Sequence, residues 1–126
     1  MTQPDPAIPP RVLVVEDTAL VAMLIETVIE DMGWTLVGPA ARLQDALAVA
    51  RDEAIDVAII DVDLNGEPSW DVAHILRDRG VPFLFTTGYS DASMIPAGLR
   101  TSPMMGKPFQ VRDLERWLRD AVPAHA

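Results

Sequence analysis

Cysteine is absent from this chain of 126 residues, so no disulfide framework, thiolate metal site or cysteine nucleophile can be built from it. Positive charge is scarce as well: ten basic residues stand against nineteen acidic ones, a net charge of −9. Nine of the ten are arginines scattered along the chain. Clustered cations that would grip a phosphate backbone are therefore missing, and no nucleic-acid partner is expected. Lysine occurs once, at Lys107. No stretch approaches the roughly 18 apolar residues a membrane helix requires, so no membrane partner is expected either. Residues Met1–Pro10 hold four prolines and no apolar run of the signal-peptide type. The expectation is a cytoplasmic protein with a disordered arm over 1–10, one domain over 11–122 and a short tail over 123–126. With 49% apolar residues, that domain has enough hydrophobic surface for a single core.

Apolar runs alternate with amphipathic segments. Arg11–Val15 (RVLVV) reads as a strand buried on both faces. Thr18 is a candidate N-cap for a helix running to about Met32, which Gly33 ends. Leu20, Val21, Leu24, Ile25, Val28, Ile29 and Met32 form its apolar arc, with Leu20 and Met23 at or beyond the rim. Trp34–Val37 reads as a second strand closed by Gly38–Pro39, and Arg42–Arg51 as a second helix. Ile55–Ile60 is a third strand ending at Asp61–Val62–Asp63. Beyond it, the turn Asn65–Gly66 and Glu67–Pro68–Ser69 lead into a helix over about Trp70–Arg79. Val81–Thr86 and Pro103–Met105 read as the last two strands, and Phe109–Val122 as the last helix. Pro96 cuts short whatever helix forms in Ser90–Leu99.

Five strands alternating with helices predict an α/β fold, a doubly wound parallel sheet with helices on both faces. In such sheets ligands sit outside the carboxyl ends of the strands. The chemically capable residues fall there: Glu16 and Asp17 after strand one, Asp61 ending strand three, Thr87 after strand four, Lys107 after strand five.

Over Arg11 to Val122, that set resembles the CheY-like receiver domains of two-component response regulators, bacterial signalling modules. The marks are the acidic pair, the strand-three aspartate, the threonine and Lys107–Pro108. The stretch Pro82–Tyr89 is similar to a subgroup with the motif PFxFATGY, with Thr86 where that motif has alanine. Asp61–Glu67 is similar to the same subgroup, many of whose members are single-domain regulators. The resemblance implies strand order 2-1-3-4-5. It also implies a phosphoprotein that takes a phosphoryl group on Asp61 from a sensor histidine kinase, of the HWE/HisKA_2 type in that subgroup. Such a protein acts on no substrate but itself, and passes its signal to a downstream protein or drains phosphate as a sink.

By the same resemblance, Mg²⁺ would be held by Asp17 and Asp61, by Glu16 directly or through water, and by the Asp63 backbone carbonyl. Mn²⁺ or Ca²⁺ would substitute. Lys107 and the Thr87 hydroxyl would each meet a phosphoryl oxygen, and Lys107–Pro108 would be cis. The chemistry is coherent, since two carboxylates ~5 Å apart repel by roughly 3 kcal/mol at an effective dielectric of about 20, which a hard cation relieves. Phosphoryl transfer needs neutralised charge and in-line positioning more than acid–base work. Two enzyme readings compete: a Toprim-like nucleotidyl-transfer domain, or a dehalogenase-like phosphatase, using Glu16 with Asp61 and Asp63. Neither explains Asp17, Thr87 and Lys107 together.

One departure from the receiver pattern concerns signal output. Met104 stands where most receivers carry an aromatic switch residue, so ordering of Thr87–Leu99, with Tyr89 as a contact, is expected instead of an aromatic rotamer change. One or both of Leu20 and Met23 are expected to be exposed beside the acidic site, where a kinase would dock. His74 and His125 read as surface residues, and Trp34, Trp70 and Trp117 as packing residues.

Overall fold

The computed structural model describes residues 8–88 and 95–123. Five strands form one parallel sheet: β1 (Arg11–Val15), β2 (Thr35–Ala40), β3 (Val57–Asp61), β6 (Phe83–Thr87) and β7 (Met104–Gly106), in the order β2-β1-β3-β6-β7. This is the expected 2-1-3-4-5 arrangement, because among the described residues β4 (Asp63–Leu64) and β5 (Glu67–Pro68) pair only with each other.

Helices α1 (Ala19–Asp31) and α4 (Val111–Ala121) cover one face, and α2 (Leu43–Asp52) and α3 (Trp70–Asp78) the other. Strand alternation divides the core between them. Val12, Val14, Val57, Ile59 and Leu84 meet Ile25, Val28 and Ile29 of α1 and Leu114 and Leu118 of α4. Leu13, Val15, Ala58, Ile60, Phe83 and Phe85 meet Ala46 and Ala50 of α2 and Val72, Ala73 and Leu76 of α3. Burying one large apolar side chain contributes about 1.5–3 kcal/mol, and Leu13, Ile25, Ile59, Ile60, Leu76 and Phe85 are each completely enclosed.

Several elements differ from the sequence expectation. β2 does not stop at Val37 but runs through Gly38–Pro39, a cis peptide bond, to Ala40. It can do so because β2 is an edge strand, paired among the described residues only with β1, where the missing proline N–H leaves no ladder partner unsatisfied. The register slips between Leu13 and Val15 to absorb the extra residue. Asn65–Gly66 turns a short hairpin between β4 and β5 instead of leading straight into α3. Both turn residues have positive φ, 52° and 88°, as a tight hairpin turn demands. Thr18 occupies the N-cap position of α1 without a capping bond from its side chain. The buried stripe of α1 is Ala22, Ile25, Val28 and Ile29, which leaves Leu20 79%, Met23 60% and Leu24 38% exposed. The last helix is shorter than Phe109–Val122 at both ends. Lys107–Pro108 is cis, as the resemblance implies. Trp34 is buried, and Trp70 meets Phe85 edge-on.

Of the ambiguous segment Ser90–Leu99, the described end holds one 3₁₀ turn, Ala97–Leu99, beginning after Pro96. Ile95 and Leu99 are buried in the core, so any ordering of Thr87–Leu99 on activation excludes that end. Tyr89 and His125 lie outside the described residues. No helix among the described residues is long and apolar enough to cross a membrane.

Candidate functional site

Every strand that carries a candidate residue points its carboxyl end at the same sheet edge, because the sheet is parallel throughout. Alternation then selects the face. Val12 and Val14 lead to Glu16, Val57 and Ile59 to Asp61, and Met105 to Lys107, all toward the α1/α4 side. Glu16, Asp17 and Asp61 each bring a carboxylate oxygen to within 4.8 Å of the others. The Lys107 ammonium donates to Asp61 Oδ2 at 2.9 Å and to Glu16 Oε1 at 3.2 Å. Glu16 and Asp61 are buried; Lys107 is half-buried.

Backbone groups fix the carboxylates. Asp63 N–H donates to Asp61 Oδ1 (3.2 Å), Thr18 N–H to Glu16 Oε2 (3.1 Å) and Asn65 N–H to Asp17 Oδ2 (2.9 Å). The Asp63 carboxylate accepts from Gly66 N–H at 3.3 Å and so belongs to the hairpin. Thr87 is buried at the end of β6, and its carbonyl accepts the Lys107 N–H at 2.8 Å. Among the described residues no hydrogen bond joins its hydroxyl to a carboxylate.

Two contributors escaped the sequence reading. Ser69, fully buried, donates its hydroxyl to the Asp61 carbonyl at 2.6 Å and so ties the start of α3 to the end of β3. Asn65 acts through its N–H alone. The Asn–Gly pair signalled the turn, but nothing in the sequence told that its backbone reaches Asp17.

One ammonium among three carboxylates leaves negative charge uncompensated. Burial, above all, pushes the Asp61 carboxyl up from 3.8 to about 7; Lys107 pulls it down, Glu16 pushes it further up and the Asp63 N–H pulls it down. Burial pulls the Lys107 ammonium down, but the hydrogen bond and charge of Asp61, aided by Glu16, leave it above the ordinary lysine value. The lysine is thus firmly cationic and favours the ionised Asp61, but burial outweighs it and the carboxyl stays raised. All the donors are hard oxygens in close array, and their surplus charge suits a hard divalent cation such as Mg²⁺.

Residues 12–119 match the family model described as the response regulator receiver domain. The chain is 31% identical to the transcriptional regulatory protein PdtaR of Mycobacterium tuberculosis over 90% of its own length, and spans 57% of that relative. It is 38% identical to SdrG from Sphingomonas melonis Fr1, whose solution structure matches 91% of this chain and 97% of its own with a TM-score of 0.79. The receiver domain of the sensor histidine kinase PA1611 from Pseudomonas aeruginosa, 20% identical, shares the fold (TM-score 0.78, covering 91% of this chain and 98% of that one) and was solved with magnesium coordinated in its active-site cleft. Neither competing enzyme reading is favoured by these likenesses. With its sheet order, its acidic cluster and its lysine all in agreement, the chain belongs to the response regulator receiver domain family.

Proposed function

We propose that Asp61 is the phosphoacceptor of a two-component relay, receiving its phosphoryl group from a phosphohistidine of a sensor histidine kinase of the HWE/HisKA_2 type. One observation carries this reading: a buried aspartate at the end of the central strand lies 2.9 Å from the only lysine in the chain and within 4.8 Å of two further carboxylates. An Asp61 carboxylate oxygen forms the new O–P bond as the P–N bond to the donor histidine breaks. The departing imidazole keeps that electron pair.

Asp17, Asp61 and the Asp63 carbonyl would hold Mg²⁺, with Glu16 directly or through water; Mn²⁺ or Ca²⁺ would substitute. When bound, the cation neutralises the carboxylates and the phosphoryl oxygens. Lys107 offers its ammonium to one phosphoryl oxygen, and Thr87 its hydroxyl to another. Because burial raises the Asp61 carboxyl to about 7 without a cation, ionisation of the nucleophile is coupled to filling the site.

The exposed Leu20 and Met23 on α1 give the kinase an apolar docking surface next to Asp17. The receiver unit would span 11–122. Its output would pass through a downstream protein, or it would act as a phosphate sink. The test is transfer from a phosphorylated kinase of that class: label is expected to move to this chain with Mg²⁺ present and to stay on the kinase under EDTA. Equal transfer under both conditions would overturn the role of the acidic cluster.

A further inference from the structure

Beside Asp61 lies a second threonine that the reading above leaves unused. Thr86 is completely buried, and its hydroxyl oxygen has no hydrogen-bond partner among the described residues. It is the register partner of Asp61 on β3 and of Met105 on β7. Facing residues of parallel partners point to the same side, so alternation from Leu84 turns Thr86 toward the α1/α4 side, with Glu16, Asp61 and Lys107. β6 cannot readily rotate away from this setting. Phe85 is locked on the opposite face, edge-on to Trp70 at 5.8 Å and to Phe83 at 5.3 Å.

Lys107 follows β7, and to reach Asp61 on β3 its side chain must cross the end of β6, which lies between those strands. Its ammonium has three hydrogens, and two go to Asp61 Oδ2 and Glu16 Oε1. Asp61 Oδ1 is meanwhile held by Asp63 N–H. An attack by Oδ2 on phosphorus brings the phosphoryl oxygens up to the ammonium as competing acceptors, and Lys107 can pass from Oδ2 to one of them. A buried hydroxyl without a partner is rare in a folded protein and calls for a reason.

We propose that Thr86 is a positioning residue for Lys107: its Oγ accepts an ammonium hydrogen when Lys107 leaves Asp61 Oδ2 for the phosphoryl group, and so holds the cation over the reacting oxygens. The inference rests on the assignment of Asp61 as phosphoacceptor. It also gives the orphaned hydroxyl a partner in the reacting state that it lacks at rest.

Because Lys107 is the only lysine, protein labelled with ¹³C-lysine reports on this one side chain. The experiment compares the parent, Thr86→Val (same shape, no hydroxyl) and Thr86→Ser (hydroxyl kept) by the Lys107 ε-methylene resonance. Spectra are taken with Mg²⁺ alone and with Mg²⁺ plus beryllofluoride, a phosphoryl stand-in. The initial rate of labelling by acetyl phosphate is measured in parallel. Thr86→Val is expected to change the beryllofluoride-bound lysine resonance and to slow labelling about tenfold, the scale of one hydrogen bond to a charged group, while Thr86→Ser restores both. Identical bound-state spectra and rates in parent and Thr86→Val would overturn the proposal and leave Asp61 standing. A bound-state change in Thr86→Val that Thr86→Ser does not rescue would also overturn it, by showing that shape and not the hydroxyl matters. A parent whose lysine resonance ignores beryllofluoride and whose Asp61 takes no label would instead overturn the phosphoacceptor reading, and this inference with it.

Discussion

At Asp61, burial and a neighbouring carboxylate work against one ammonium, and the balance leaves the carboxyl at about 7, well above 3.8. The consequence for stability has a definite sign. A group whose pKa rises on folding binds its proton more tightly in the folded state, so its contribution is complete below about pH 4 and is lost as pH climbs through about 7. Thermal melts of the metal-free protein should therefore show Tm falling between about pH 5 and about pH 8. Asp61→Asn should remove most of that fall, and millimolar Mg²⁺ should reduce it, because a cation in the cluster favours the ionised form and binds only the native state. An unchanged slope in Asp61→Asn would assign the pH dependence elsewhere. The residue types of this site were legible in the sequence, since a solitary lysine and acids at strand ends stand out in a chain rich in arginine. That Thr86 also turns toward the acids was not, because that depends on register. Thr86, read only as a departure from a motif, proves to share the face of Asp61.

Among the elements, β2 and α1 differ in why the sequence was or was not sufficient. Gly–Pro ordinarily marks the end of a strand, and only the edge position and the slipped register of β2 allow the strand to continue through it. Gly38 is indispensable there. Its φ is 100°, and a Cβ would stand 2.9 Å from both Ala40 N and Val14 O, backbone atoms that cannot move aside. Gly38→Ala should cost about 2 kcal/mol or more, seen as a lower urea midpoint at unchanged m-value. A loss below about 0.5 kcal/mol would show that the strand relaxes there. The β4–β5 hairpin was missed because strands of two residues carry no periodicity. α1 was read correctly in outline, and the exposure of Leu20 and Met23 agrees with their place at the rim of its arc. If α1 receives the kinase, Leu20→Glu and Met23→Glu should slow transfer from the kinase several-fold while labelling by acetyl phosphate proceeds at the parental rate. Equal slowing of both reactions would point to a damaged site and not to docking.

On the scale of the whole molecule, the architecture was legible because its causes are global. Apolar runs of strand length separated by helices leave a parallel sheet covered on both faces as the natural solution, and two core clusters, one per face, are what is found. A parallel sheet then gathers every strand-end residue at one edge, which is why acids far apart in sequence share 4.8 Å of space. The segment after β6 was less legible, because Pro96 forbids a long helix without saying what replaces it; the described part is a single 3₁₀ turn anchored by Leu99. The central claim is that this whole arrangement exists to phosphorylate Asp61. Its most direct test is to incubate the protein with acetyl phosphate and Mg²⁺, trap the acyl phosphate by borohydride reduction to homoserine, and map the modified residue by peptide mass spectrometry. Homoserine at position 61, and no trapped product in Asp61→Asn, is the predicted result. Trapping on a different aspartate, or undiminished incorporation in Asp61→Asn, would contradict it.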